Sequence, residues 1–116
     1  MRRDNREKGQ VDRARMVETA NTLLDRLQAD LFARAKQLLE GCVAAPATYD
    51  EFKAAIENKG GFARAGWCGA QECELEIKEE TGADIRVIPF DQAGMADKCI
   101  YCGQPAKKAA MFARAY

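Results

Sequence analysis

Four of the five cysteines in this chain fall in two pairs, Cys68 with Cys73 and Cys99 with Cys102, and 25 residues separate the pairs. A tetrahedral Zn²⁺ takes four soft ligands, and two cysteines spaced two to four residues apart can supply two of them from one turn. A fold that uses all four sulfurs must bring two distant turns together, so this spacing constrains the chain more than any other feature. Gly103 follows Cys102 directly and permits a tight turn whose backbone N–H groups point at the thiolates. The first pair lies where an expected strand ending at Trp67 gives way to an expected helix, whose N-terminus would favour a thiolate. With four cysteine ligands no position is open for water or substrate, so the expectation is one structural Zn²⁺ per chain. Lys98, Lys107 and Lys108 stand near the second pair, and no acidic residue occurs from Lys98 onward; these lysines would offset the negative charge of the tetrathiolate.

Two other uses of the sulfurs stay open at this point. A pair of disulfides would need an oxidising compartment. A thioredoxin-like redox pair at Cys99 and Cys102 would need a helix immediately afterwards, where Gly103-Gln104-Pro105 stands instead. Cys42, on the apolar stripe of a long helix, reads as a small buried hydrophobe.

The chain contains no histidine. That absence removes mixed Cys/His zinc sites, histidine general bases and histidine-based triads. Its 116 residues suit one domain of ordinary size, and 47% hydrophobic against 31% charged residues can fill a core and keep its surface wet. Basic and acidic residues balance at 18 each, which argues against a uniformly basic nucleic-acid binder. The first ten residues have no apolar signal region, and no segment approaches the ~18 apolar residues of a membrane span. A cytoplasmic chain without a membrane partner is expected.

From Met16 to about Val43 apolar residues recur every three or four positions, at Val17, Ala20, Leu24, Leu27, Leu31, Ala35, Leu38 and Cys42, which predicts a long amphipathic helix. It is expected as the main helix of the core, with a spine that partly touches something else as the alternative its length suggests. Pro46 interrupts it. Thr48 followed by Glu51 has the form of a capping box, so a second helix starts there with Phe52 and Ile56 turned inward, ending at Gly60-Gly61. Phe62–Trp67 reads as a short strand. A third, acidic helix fits 70–81, packed through Leu75 and Ile77 and stopped by Gly82. Residues 84–90 are the best strand by β-branching, closed by Pro89. A loop covers 91–98, and 109–116 is expected to close the sheet as a final strand, with a short helix the alternative that its alanines leave open. Helices and short strands interleave without the regular alternation of a doubly wound sheet, giving a two-layer α/β (α+β) sandwich.

The run from Phe62 to Phe90, the segment Cys99-Ile-Tyr-Cys-Gly103 and the ending Phe112-Ala-Arg-Ala-Tyr116 together resemble the C-terminal domain of proline–tRNA ligases (prolyl-tRNA synthetases) of the archaeal and eukaryotic type. Leu23–Ala35 resembles the opening of the same domain, and Arg2-Arg-Asp4 the close of the anticodon-binding domain before it. The resemblance implies that residues 1–15 end, or link from, that preceding domain and that 16–116 form the zinc-binding α/β domain. It implies a small mixed sheet of about four short strands under helices, with zinc on Cys68, Cys73, Cys99 and Cys102.

It further implies an accessory role, bracing the catalytic and anticodon-binding domains of a class II synthetase that charges tRNA with proline using ATP. The parent would be a homodimer able to meet tRNA, and the terminal carboxylate of Tyr116 would help order its active site. No catalytic residue is assigned, because the chain has no class II core and no glycine-rich phosphate loop. The alternative function is a free-standing zinc module that binds RNA or a protein partner through its basic ends, among them Arg2, Arg3, Arg6, Lys8, Arg13 and Arg15.

Overall fold

The computed structural model describes residues 1–115, together with every side chain among them except that of Lys59. The chain divides into two compact units, Met1–Leu39 and Glu40–Tyr116. A turn of 3-10 helix at Arg13–Arg15 leads into α1, Met16–Gly41, which at 1.5 Å per residue is roughly 40 Å long. In the first unit Arg2 donates to Asp4 at 2.7 Å and to Asp30 of α1 at 2.6 Å, holding the N-terminal segment on the helix.

The expectation that α1 is the core's main helix is not met. No described residue of α1 is buried, and Leu24, Phe32 and Leu38 are largely exposed. The periodicity correctly marks an amphipathic helix, but periodicity does not say what the stripe packs against. The helix also stops at Gly41, so Cys42 falls beyond it and is exposed rather than buried. No described helix is long and apolar enough to cross a membrane.

The second unit is built on a four-stranded mixed sheet. Its strands are β1 (Val43–Ala44), β2 (Phe62–Trp67), β3 (Ala83–Val87) and β4 (Lys108–Arg114), in the order β1-β2-β4-β3. The two-residue β1 pairs parallel to β2, while β4 lies antiparallel to both β2 and β3. Two helices belong to this unit: α2, Tyr49–Ala54, continued by a π-helical turn at Ala55–Lys59, and α3, Gln71–Thr81.

Local chemistry accounts for the helix ends. Thr48 accepts the Glu51 N–H on its hydroxyl at 3.2 Å, and the Glu51 carboxylate accepts the Ala47 N–H at 2.8 Å. The capping box therefore forms, with its return bond one residue earlier than the standard pattern. Gly82 ends α3 in the left-handed conformation at φ 72°, which costs glycine nothing.

Register decides which residues form the core. Ala63 lies opposite Phe112 and Ala65 opposite Ala110, while Ile85 also pairs with Phe112. These residues share one face of the sheet, which Phe52, Ile56 and Ile77 cover. Phe52, Ile77 and Phe112 are completely buried, each worth roughly 1.5–3 kcal/mol over exposure. The alanines on β2 and β4 leave room for those larger side chains to lie against the strands.

Two sequence expectations need correction here. The buried residues of α3 are Cys73, Ile77 and Thr81, a row spaced by four along one face. Leu75 lies two residues from that row, on the other side of the helix, and is exposed. The strand expected over 84–90 runs instead from Ala83 to Val87. A bulge between Ile85 and Val87 shifts its register on β4, and such a bulge bends a strand away from its partner. Ile88 and Phe90 are left outside the sheet and exposed.

Candidate metal centre

The two cysteine pairs meet in the second unit. Cys68 follows β2, Cys73 occupies the first turn of α3, and Cys99 and Cys102 sit on the turn-rich segment before β4. Their four Sγ atoms all lie within 4.8 Å of one another. Cys68 is 3.6 Å from Cys73 and 3.8 Å from Cys102. A tetrahedral tetrathiolate with Zn–S near 2.3 Å has sulfur–sulfur edges of about 3.8 Å, so the donor set fits one such ion. All five cysteines are free thiols at these separations, against a bonded S–S distance of about 2.05 Å. Turns followed by β4, and no helix among the described residues, come after Cys102; a thioredoxin-like arrangement does not form.

Each pair contains a cysteine followed by a left-handed glycine, Gly69 at φ 88° and Gly103 at φ 70°. These glycines turn the chain back sharply behind the sulfur. The indole N–H of Trp67 donates to the Ala70 carbonyl at 3.1 Å, closing the first turn. In the second, the Gly103 N–H donates to the Cys99 carbonyl at 3.1 Å, and the Cys99 N–H to the Gln104 carbonyl at 2.7 Å.

Backbone bonds then dock this second turn on β2. Ile100 donates to Gly66 at 2.9 Å, and Lys107 to Trp67 at 2.8 Å. A Cβ at Gly66 would collide with the Lys98 carbonyl oxygen and stand 3.0 Å from the Ala106 Cβ. Glycine is therefore required there, and a glycine inside a strand is a sequence signal of such close approach. Gly66→Ala is expected to push the second turn off β2 and weaken metal binding, measured by chelator competition; unchanged affinity would show that the contact relaxes freely.

The thiols do not share one electrostatic environment. Burial opposes ionisation of Cys99, but backbone hydrogen bonds from Cys102, Tyr101 and Cys68 outweigh it and bring its pKa down to about 7. The turn expected behind Gly103 thus favours a thiolate, as its glycine suggests. Cys73 behaves in the opposite way. The start of α3 was expected to ease ionisation of the first pair, yet burial, followed by hydrogen bonding with Cys102 and Cys68, pushes the Cys73 thiol up. Desolvation exceeds the helix-end field at this buried position. A bound dication would reverse that balance, since a coordinating thiol is deprotonated outright.

Lys98, Lys107 and Lys108 are all exposed. The stem of Lys107 lies over Gly69, 3.4 Å from where a Cβ would stand, which puts one of the expected cationic residues beside the first turn. Side chains not singled out by sequence also hold the 91–93 loop, which precedes the second turn. Arg64 donates to the carbonyls of Asp91 and Ala93 at 3.0 and 2.9 Å. The Gln92 carboxamide accepts the Ala109 N–H at 2.6 Å, standing in for a strand partner where β3 has ended. Tyr116 lies outside the described residues.

Comparison with known proteins agrees with this architecture. A family described as prolyl-tRNA synthetase, C-terminal, matches residues 49–116. Proline–tRNA ligase 2 of Clostridioides difficile (strain 630) is 40% identical over 99% of the chain, and the proline–tRNA ligase of Oceanobacillus iheyensis is 42% identical over all of it. In each case the chain spans 24% of the relative's length. A crystal structure of prolyl-tRNA synthetase from Cryptosporidium parvum, complexed with halofuginone and AMPPNP, superimposes with a TM-score of 0.90 at 31% identity. That match covers 98% of this chain and 24% of the other. The chain belongs to the prolyl-tRNA synthetase C-terminal domain family.

Proposed function

We propose that this chain serves as the C-terminal accessory domain of a proline–tRNA ligase, of the archaeal and eukaryotic type that its cysteine spacing and tyrosine ending resemble. In that role it braces the catalytic and anticodon-binding domains, and residues 1–15 lead in from the latter. The observation that carries this reading is family membership over residues 49–116, which hold β2, β3, β4 and both cysteine pairs. The parent would be a cytoplasmic homodimer that activates proline with ATP and transfers it to tRNA. This chain's own contribution is structural. Cys68, Cys73, Cys99 and Cys102 would hold one Zn²⁺, and the convergence of their sulfurs supports that use. When bound, the ion would supply a crosslink between the two turns and no reaction chemistry, because four cysteines close its coordination sphere. Tyr116 would act in the parent, its carboxylate helping to order the active site.

A domain exchange tests the proposal. The chain replaces the corresponding quarter of the Clostridioides difficile ligase, and proline-dependent ATP–pyrophosphate exchange is measured. The exchanged enzyme should recover activity that deletion of the same region removes, while the chain alone shows none. Removal of Tyr116 from the exchanged enzyme should lower exchange without affecting anticodon binding. Exchange by the chain alone, or failure of the replacement to improve on the deletion, would overturn the accessory-domain reading. The RNA-binding alternative predicts instead that the isolated chain retains RNA with a strong salt dependence.

A further inference from the structure

The second cysteine turn carries a tyrosine between its two sulfurs, and that side chain reaches back across the site. The Tyr101 hydroxyl stands 3.4 Å from a Glu80 carboxylate oxygen and 3.5 Å from one of Glu76. Both glutamates are on α3, the helix that carries Cys73. The other Glu80 oxygen accepts the Tyr49 hydroxyl of α2 at 3.0 Å. Tyr49 and Tyr101 also meet edge to face, with ring centroids 5.3 Å apart. From Tyr49 the aromatic contact continues to Phe52, stacked at 5.9 Å, and from Phe52 to Phe112 of β4 at 5.3 Å. One unbroken row of rings therefore joins the cysteine turn to the centre of the sheet.

We propose that Tyr101, Glu80 and Tyr49 form a clasp that positions the two cysteine pairs for the metal, making Tyr101 and Glu80 positioning residues of the site. This deepens the zinc reading and rests on it. The clasp closes only when the second turn lies against α3, and that is the arrangement in which Cys99 and Cys102 approach Cys73. Its hydrogen bonds therefore add to metal affinity without touching the ion. If they are lost, the competent arrangement is less populated and apparent affinity falls by the same fraction. Glu76 and Glu80 fall one turn apart on the acidic helix, so two of its carboxylates have a specific partner and are not merely solvated charge. Burial raises the Tyr49 hydroxyl above its ordinary range, with Glu80 contributing in the same direction, which keeps it a donor.

The test titrates the metal-free 116-residue chain with Co²⁺, whose thiolate charge-transfer and d–d bands report a tetrathiolate site. Tyr101→Phe keeps the ring and removes the hydroxyl; it should weaken Co²⁺ binding about tenfold, the scale of outer-shell changes at metal sites, while the saturated spectrum stays the same. Glu80→Gln and Glu80→Met remove the same charge, but glutamine keeps an acceptor oxygen for one hydroxyl and offers an amide N–H that the other hydroxyl oxygen can accept, whereas methionine offers neither. Glu80→Gln should therefore retain most of the affinity that Glu80→Met loses. Wild-type affinity in Tyr101→Phe would overturn the clasp, as would equal affinities in the two Glu80 variants. A lower melting temperature of the metal-free Tyr101→Phe protein with unchanged Co²⁺ affinity would assign the hydroxyl to stability alone and overturn it too. Absence of thiolate bands in the wild-type chain would instead bring down the metal reading, and the clasp with it.

Discussion

Cys99→Ser is expected to abolish tight zinc binding and strip amide protection from residues 66–103 while α1 keeps most of its helicity. Structural zinc contributes ~10–16 kcal/mol of apparent binding free energy, comparable to or greater than the ~5–15 kcal/mol of net stability in a whole domain. The second turn has few alternatives to the ion. Ile100, Tyr101 and Ala106 are only half-buried, and the turn's backbone bonds to Gly66 and Trp67 form only once it is docked. By contrast, α1 has no buried described residue to lose. Hydrogen exchange with metal analysis distinguishes the outcomes. One zinc per wild-type chain and none in the variant, with protection lost locally, supports the crosslink. Equal protection in both regions after the substitution would mean that the ion does not hold this region together.

Phe52→Ala should produce the second large effect. Phe52 is completely buried on α2, where it meets Phe112 edge on, ring planes at 90°, and stacks with Tyr49. Truncation of a buried phenylalanine costs ~3–5 kcal/mol, and the lost edge-to-face pair adds to the same sum at about 0.5–1.5 kcal/mol. Urea unfolding of the zinc-loaded chain should show a midpoint lowered accordingly, with Phe52→Leu between wild type and Ala. The metal-free variant should lack a cooperative transition, because it has lost both the ion and the centre of its core. A loss below about 1 kcal/mol would contradict the placement of Phe52 at that centre.

Much of this domain can be read from nearby residues. Thr48 and Glu51 specify the start of α2, Gly82 specifies the end of α3, and Phe62–Trp67 forms β2 with the expected bounds. Each depends on dihedral preference or on hydrogen bonds within a few residues. The cysteine pairs are legible for a related reason: spacing within a turn limits which sulfurs can serve one ion together. It leaves unstated how the two turns meet.

That meeting depends on contacts between residues far apart in sequence. The two-residue β1 has too little sequence to show a pattern and exists through its parallel pairing with Phe62 and Ala63. The alanines of β4 are weak strand formers alone and become a central strand because β2 and β3 flank them on both sides. Leu75 and Cys42 carry the composition of core residues but stand where nothing in the described structure covers them. Gly66 is required by a carbonyl 32 positions away, and Tyr101 finds its partners 21 and 25 residues back on α3. Hydrophobicity and periodicity report what a side chain prefers locally, whereas close approach, register and pairing belong to the other strand or turn. Residue chemistry therefore determined that this chain could build a four-sulfur centre, and the antiparallel pairing of β2 with β4 decided that its halves would meet.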